Sequence, residues 1–352
     1  MIRNILNFNN EVYMRKMATI RKIDNILPIP NADRIECAII DGWSVVIGKD
    51  TFKIGETVIF CEIDSWIPTN LAPFLTKPDK FPKNYNGIDG ERIRTVRLRG
   101  QLSQGLILPI QSLMDCGVSY CELGDDVAEK MGIQKWEAPV SANIAGNPRG
   151  SFPSDVPKTD EERIQNLTND LKLWRDNNYH WEITEKLDGS SGTFYLDFEE
   201  NFYVCSRNIN LKDDDKNIFW RMAKKYNLEE EMKRQRLFGF ALQGEIVGPG
   251  IQGNIYKLPE NDFYLFRIYN VKAGEFLSPE DRKFVCRTLG LKHVPVISNN
   301  AIIDEDIDGL LECAEGPSQL NHSVEREGIV FKSNTKQASF KVISNKYLLG
   351  EK

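Results

Sequence analysis

No stretch of this chain approaches the roughly 20 consecutive apolar residues that carry a helix across a membrane. The opening residues, Met1-Ile2-Arg3-Asn4-Ile5-Leu6-Asn7-Phe8, are too polar and too interrupted for a secretory signal. A cytoplasmic or other intracellular location, not secretion, and no membrane partner are therefore expected. Histidine is scarce, at positions 180, 293 and 322 only, which argues against a histidine-based zinc site. The seven cysteines are odd in number and scattered, and nothing reads Cys-x-x-Cys. Reduced, mostly buried thiols follow, not a disulfide framework or a metal cluster. A strong excess of one charge is also missing. The net charge is −6, from 45 basic and 51 acidic residues. Residues 1–150 carry 18 of each sign, so the deficit lies wholly in the remainder. This argues against an indiscriminate polyanion binder, and a nucleic-acid partner would need a local basic surface. No internal repeat or low-complexity tract is evident.

A chain of 352 residues with 41% hydrophobic and 27% charged residues suits two soluble domains with full-sized cores. The first 110 residues read as short strands between turns. Ile35–Ile40 and Trp43–Ile47 flank Asp41-Gly42, a hairpin signal. Thr57–Ile63, Glu91–Leu98 and Gly105–Ile110 follow, with a Pro-, Lys- and Asp-rich loop over 68–90. This pattern fits an OB-like barrel, with an SH3-like barrel as the alternative. Residues 137–158 carry four prolines and several small residues, the composition of a linker. The expected division is an OB-like nucleic-acid-binding domain at 1–136, a linker at 137–158 and an α+β domain at 159–352. Thr159 and Glu162 form a capping-box pattern that predicts a helix from 159. Ile164, Leu167, Leu171 and Trp174 would be its buried stripe. A further basic–acidic helix is expected near 213–236.

The chemistry starts at Glu185-Lys186-Leu187-Asp188-Gly189, between two strand-like segments. A lysine on such a turn can project into a pocket and attack the α-phosphorus of a nucleotide, expelling pyrophosphate. Its amine must first lose a proton, since a free lysine has a pKa of about 10.4. A metal held by carboxylates such as Asp188 would favour that. A second pattern, Gly248-Pro249-Gly250-Ile251-Gln252-Gly253, matches the dinucleotide fingerprint. Pro259 follows too soon for the helix that this fingerprint requires, so a flexible loop is the better reading.

Downstream of Lys186 come Cys205-Ser206-Arg207-Asn208, Leu242-Gln243-Gly244-Glu245-Ile246-Val247-Gly248 and Phe263-Tyr264-Leu265-Phe266-Arg267-Ile268-Tyr269. Then follow Glu325-Arg326-Glu327-Gly328-Ile329-Val330-Phe331-Lys332 and Ser339-Phe340-Lys341-Val342-Ile343-Ser344-Asn345-Lys346-Tyr347. In this order the segments resemble motifs I, Ia, III, IIIa, IV and V of the covalent nucleotidyltransferases, the superfamily of ligases and mRNA-capping enzymes. They cover about half the chain. The resemblance implies Lys186 as nucleophile, with Lys341 at the α-phosphate. Glu245 would bind the ribose hydroxyls and Phe266 would stack on the purine. Asp188 and Glu327 would hold a divalent metal, Mg or Mn, through its waters. Arg207 would hold the sugar–phosphate part or an acceptor 3′ end. Glu185 and Leu187 would border the nucleotide, and Lys332 and Arg163 are further phosphate candidates.

Eleven residues follow Lys341, and the OB-like module stands at the front, with Ile26–Ile35 and Leu98–Leu106 strengthening the match. The whole chain resembles the fifth clade of ATP-dependent RNA ligases, which carry an N-terminal OB domain. That resemblance implies ATP as substrate and sealing of 3′-OH and 5′-phosphate ends through lysyl-AMP and RNA-adenylate. The expected partner is RNA or a nicked RNA-containing duplex, and the expected state is a monomer. Two departures stand out. Ser191 occupies a position where many DNA ligases have arginine, and Ile343 replaces a second motif V lysine, leaving Lys346 as a substitute to be tested. Arg92, Arg94, Arg97 and Arg99 are candidate phosphate contacts on the barrel. Trp43 and Trp66 read as core more readily than as base-stacking residues. The alternatives are a GTP-using capping-type enzyme and a non-catalytic nucleic-acid-binding OB protein.

Overall fold

The computed structural model describes residues 15–138 and 145–350. They form two compact units, one from 15–138 with 164–168, the other from 145–163 with 169–350. No helix among the described residues is long and apolar enough to cross a membrane.

The first unit is built from short antiparallel strands: β1 Ala18–Lys22, β2 Asn25–Pro28, β3 Ile35–Ile40, β4 Trp43–Gly48, β5 Thr57–Cys61, β6 Ser65–Pro68, β7 Lys83–Tyr85, β8 Ile88–Arg92, β9 Val96–Leu98, β10 Gln101–Ser103, β11 Leu106–Pro109 and β12 Gln134–Lys135. One short helix, α1, spans Gln111–Asp115. The sheets run β1-β5-β11, β2-β3-β4, β12-β6-β8-β7 and β9-β10. In β4 the alternation is strict: Trp43, Val45 and Ile47 point inward and their neighbours do not. Ile40 pairs with Trp43, so Asp41-Gly42 makes the two-residue hairpin turn, with Asp41 at φ 50°. Two hydrogen bonds tie β10 to β4, from Val46 N–H to Ser103 Oγ (2.9 Å) and from Gln104 N–H to Ser44 O (2.7 Å).

Trp43 and Trp66 are buried. The Trp43 indole N–H donates to Asn166 Oδ1 (2.8 Å) and that of Trp66 to Ile88 O (3.1 Å). Both tryptophans are therefore core. The expected strand over 91–98 is split, since β8 ends at Arg92 and β9 begins at Val96. Arg92 is paired with Asp64 (2.5 Å) and lies over Trp136, while Arg94, Arg97 and Arg99 are exposed.

The second unit adds β13 Pro148–Ser151, α2 Thr168–Asp176, β14 His180–Lys186, β15 Ser190–Leu196, β16 Phe202–Cys205, β17 Ile209–Leu211, α3 Ile218–Lys225, α4 Leu228–Arg234, β18 Phe240–Val247, β19 Asp262–Asn270, β20 Glu275–Phe276, α5 Pro279–Thr288, β21 Lys292–His293, β22 Val296–Ile302, α6 Ile307–Ala314, β23 Gly328–Ser333, β24 Ser339–Ile343 and α7 Asn345–Leu349. Its larger sheet runs β13-β17-β16-β15-β18-β19-β20, with β21 parallel to β19. Its smaller sheet runs β22-β14-β23-β24. The larger sheet buries Phe194, Leu242, Ile246 and Phe263 against α3, α4 and α5. Behind the smaller sheet, Phe340 stacks between Trp174 (5.2 Å) and Phe331 (4.6 Å).

Three expectations are corrected here. No helix opens at Thr159, and α2 starts only at Thr168. The capping pattern is overridden by tertiary partners. The Thr159 hydroxyl bonds the Ser191 hydroxyl (2.7 Å), the Glu162 carbonyl accepts from Lys341 N–H (2.8 Å), and Arg163 bridges Lys341 in parallel. Within the proline-rich stretch 137–158, Pro148–Ser151 pairs with β17 and Val156 is buried, so its later part belongs to the second unit. Residues 139–144 of that stretch lie outside the described residues. The helix expected near 213–236 is two helices, α3 and α4, broken at Asn227 with φ 47°.

Candidate active site

Lys186 is the last residue of β14, directly opposite Gly328, the first of β23. Two glycines make this junction possible. A Cβ on Gly189 would stand 2.4 Å from the Ile246 carbonyl oxygen. One on Gly328 would stand 2.2 Å from the Val342 oxygen, at φ +157°. No larger residue fits at either point. The tight turn after Lys186 then carries Asp188 beside it. Asp188 Oδ2 accepts a hydrogen bond from the Tyr347 hydroxyl (2.6 Å), and Asp188 N–H donates to the Tyr256 hydroxyl (2.7 Å). Glu327 immediately precedes β23 and its Oε1 lies 2.7 Å from Lys186 Nζ. Glu245 comes from the other sheet, on β18 opposite Ser191.

The electrostatics follow from three carboxylates around one ammonium. Burial pushes Lys186 down, but Glu327, Glu245 and Asp188 outweigh it and hold the ammonium above its ordinary range. Burial, then the charge of Glu327, pushes Asp188 up. Burial drives Glu245 up to about 8, with Glu327 and Asp188 adding and Lys186 opposing. The Lys186 side chain keeps 28% exposure, enough to be reached by a substrate.

Strand alternation and register place the basic residues. Lys186, Thr184 and Glu182 share one face of β14. Lys332 stands opposite Glu182, Val330 opposite Thr184, and Lys341 opposite Val330. Lys186, Lys332 and Lys341 therefore face the same way, and both Lys332 and Lys341 are buried. Lys332 Nζ lies 3.4 Å from Thr184 Oγ1 and 6.0 Å from the centre of the Phe266 ring. Burial, then the charges of Arg282 and Arg267, lower Lys332 to about 7. Phe266 owes its position to a bulge: Gly244 pairs with Leu265 and Gln243 with Arg267, so Phe266 is the extra residue.

An aminic nucleophile, acidic groups around it, a basic face and an aromatic ring are the parts that nucleotidyl transfer requires. A hard cation fits too. The donors are carboxylate oxygens, and their negative charge exceeds that of the single ammonium among them. Among the described residues no group of three or more acidic, histidine or cysteine side chains forms a direct metal cage.

A family model described as RNA ligase matches residues 179–343, and an OB-fold domain model matches 17–110. Among solved structures, the Naegleria gruberi RNA ligase with PPi is 42% identical, with a TM-score of 0.88 over 95% of this chain and 98% of that one. A mutant of that ligase with ATP and Mn, one lysine replaced by alanine, is 41% identical with the same TM-score and coverage. So is a glutamate-to-alanine mutant with AMP and Mn. A search of curated proteins gave no match. The chain belongs to the RNA ligase family. The N-terminal unit of this ligase is an OB-fold domain, and the fold is α+β, as the strand and helix pattern led one to expect.

Not every residue singled out in the ligase sequence joins the group at Lys186. Glu185 lies on the opposite face of β14. Its carboxylate accepts from Gln319 N–H (2.8 Å), and burial raises its pKa. Leu187 is buried in an apolar cluster with Val247, Tyr256, Tyr264 and Val294. Arg207 is exposed, pairs with Asp160, and exerts its charge on Glu245. Arg163 is buried beside Lys341. Lys346, on α7, pairs with Glu315 at 2.9 Å. The segment 248–253 forms no α-helix, and only Gln252–Asn254 makes a 3-10 turn.

Sequence reasoning missed several supporting residues. Tyr256 and Tyr347 grip Asp188. Arg282 pairs with Glu182 and donates from Nε to His293 Nε2 (2.9 Å). His293 is thus fixed with its proton on Nδ1, facing Val294 O (2.6 Å). Burial and Arg282 lower it to about 4. Glu161 joins Arg267 to Ser339. None of these has a local spacing signature, since Tyr256, Tyr347, Arg282 and Glu161 each meet a partner far away in the chain.

Proposed function

We propose that this RNA ligase uses ATP to seal nicks with RNA on the 3′-OH side, and that Lys186 carries the AMP. The observation that carries this reading is the Lys186 ammonium, 2.7 Å from Glu327 at the end of β14, with Asp188 and Glu245 adding charge around it. The relatives solved with ATP, AMP, PPi and Mn support ATP and a divalent metal here.

In the first step Lys186 Nζ attacks the α-phosphorus, the N–P bond forms, and pyrophosphate leaves. Glu327 orients the amine and lies on the path of its proton. Asp188 and Glu327 would hold the divalent cation, and Tyr347 and Tyr256 fix Asp188 for that task. The cation supplies positive charge that weakens the hold of the carboxylates on the ammonium. Lys341 and Lys332, with Arg163, meet the phosphates as charge develops. Phe266 stacks on the base, Glu245 binds the ribose and Arg207 the sugar–phosphate part. AMP then passes to the 5′-phosphate of the RNA strand. Attack by the 3′-OH closes the phosphodiester and releases AMP. The OB-fold domain grips the duplex, and a template that already holds both ends removes the entropy of bringing them together. The ligase acts as an intracellular monomer.

Two assays test this. Incubation with α-labelled ATP and Mg or Mn should give an acid-labile protein–AMP adduct, with no label from GTP. A nicked duplex in four versions, RNA or DNA on each side, should seal fastest with RNA at the 3′-OH. Equal sealing with DNA there would point to a DNA ligase of unusual domain order.

A further inference from the structure

Among the described residues, the most exposed large apolar side chain lies far from Lys186 in the chain. Phe81 is 94% exposed, and Phe74 on the same loop is 69% exposed. Neither contributes to a core, so their exposure has no folding purpose. Both belong to the β6–β7 connection of the OB-fold domain. The segment 73–83 (Pro-Phe-Leu-Thr-Lys-Pro-Asp-Lys-Phe-Pro-Lys) holds three lysines against one aspartate, in a chain whose net charge is −6. Lys77, Lys80 and Lys83 are all exposed. Lys83 pairs with Glu91, but among the described residues Lys77 and Lys80 have no ion-pair partner.

The loop is built to hold these groups outward. Pro73 opens a single 3-10 turn that carries Phe74. Lys80 N–H bonds Lys77 O (2.9 Å), closing a β-turn with Pro78 at its second position, where the proline ring pre-sets the backbone. Pro82 restricts Phe81 to an extended backbone. Three prolines in eleven residues limit the entropy lost when such a loop takes a partner. An exposed ring flanked by unpaired lysines is the surface that stacks on a base while holding its strand's phosphates.

We infer that the 73–83 loop is an RNA contact that recognises a break in the duplex, with Phe81 stacking on a base exposed at the nick and Lys77 and Lys80 on the flanking phosphates. The inference rests on the RNA ligase reading and specifies where the OB-fold domain meets its substrate. Bases inside an unbroken duplex present no free face, so the ring acts only where stacking is interrupted.

The test measures binding of the full chain to a nicked RNA duplex and to the same duplex unbroken, by fluorescence anisotropy over a range of salt. Phe81→Ala should weaken nicked-duplex binding roughly tenfold without changing the salt slope. Phe81→Trp should retain binding. Lys77→Ala with Lys80→Ala should lower the slope of log K against log salt by about 2. Thermal unfolding of each variant confirms the fold. Unchanged nicked-duplex affinity in Phe81→Ala overturns the inference. So does a concentration-dependent self-association of the wild type that Phe81→Ala abolishes, because the ring would then serve a protein contact. A wild-type chain that takes no label from ATP would overturn the ligase reading itself, and is seen separately in the adduct assay.

Discussion

Replacing Lys332 by methionine should stabilise the protein at neutral pH and lower its reaction with ATP. Lys332 is buried, and its side chain has only Thr184 Oγ1, at 3.4 Å, as a recorded hydrogen-bond partner. The nearby carboxylates are already engaged, Glu161 by Arg267 and Glu182 by Arg282 and Lys283. Burial and the two arginines hold the amine at about 7, against 10.5 for an unperturbed lysine. Between those values the unfolded chain carries a proton that the folded chain lacks. Unfolding then takes up a proton, so this lysine makes stability rise with pH across that window. Below pH 7 both states are charged, and the fold bears the whole cost of a buried ammonium. At 1.36 kcal/mol per pH unit the cost is about 5 kcal/mol, an upper bound after local relaxation. Methionine has similar length and no charge. Lys332→Met should therefore exceed the wild type in stability at pH 7, with the gap closing by up to about 1.4 kcal/mol per pH unit towards pH 10. Urea denaturation at four pH values measures it, and the difference between the proteins cancels groups such as His293 that titrate in both. A gap independent of pH, or a less stable variant at pH 7, would refute the reasoning. A buried charge kept at that cost is expected where a phosphate is bound, not where a fold is held.

The other predictions concern the site and its supports. Lys186→Ala should give no protein–AMP adduct from α-labelled ATP, and retained label would move the nucleophile elsewhere. Phe266→Ala should weaken ATP binding about tenfold while Phe266→Tyr retains it, measured by titration calorimetry. Arg282→Met leaves the buried Glu182 with Lys283 alone and should lower stability by about 3 kcal/mol at pH 7 in urea. Gly328→Ala brings a Cβ against the Val342 carbonyl and should cost about 2 kcal/mol or more, with adduct formation lost as the β23–β24 pairing is disturbed.

What the sequence disclosed and what it hid divide along physical lines. Asp41-Gly42 and the strict alternation of β4 are local necessities, and local necessities leave marks in sequence. The order of motifs from Lys186 to Lys341 reads the same way, because β14, β18, β19, β23 and β24, strands of two sheets, each carry one of the residues singled out. The failures come from tertiary partners. Thr159 and Glu162 satisfy a helix-capping pattern, yet Ser191 and Lys341 take the hydroxyl and the carbonyl. Phe266 sits in a regular apolar run, and nothing in that run announces the bulge that turns its ring out of register. Glu185 and Lys186 are neighbours in sequence but point to opposite faces, so Glu185 serves the Gln319 loop instead.

The division of charge along β14 follows from these same placements. At its end, Lys186 meets Glu327, Asp188 and Glu245. Four residues back, roughly 13 Å along a strand, Glu182 lies level with Lys332, and Arg282 and Arg267 act on that lysine. Lys341 stands between, level with Thr184 through Val330. One end therefore lacks positive charge and the other has it in excess, and neither imbalance helps the empty protein fold. With the cation at the acidic end and the phosphates at the basic one, as proposed above, a nucleotide and its cation would correct both at once. Binding should accordingly stabilise the chain far more than the contacts of a neutral ligand of equal size. A thermal shift with ATP and Mn that is no larger than the sum of the shifts with each alone would contradict this coupling.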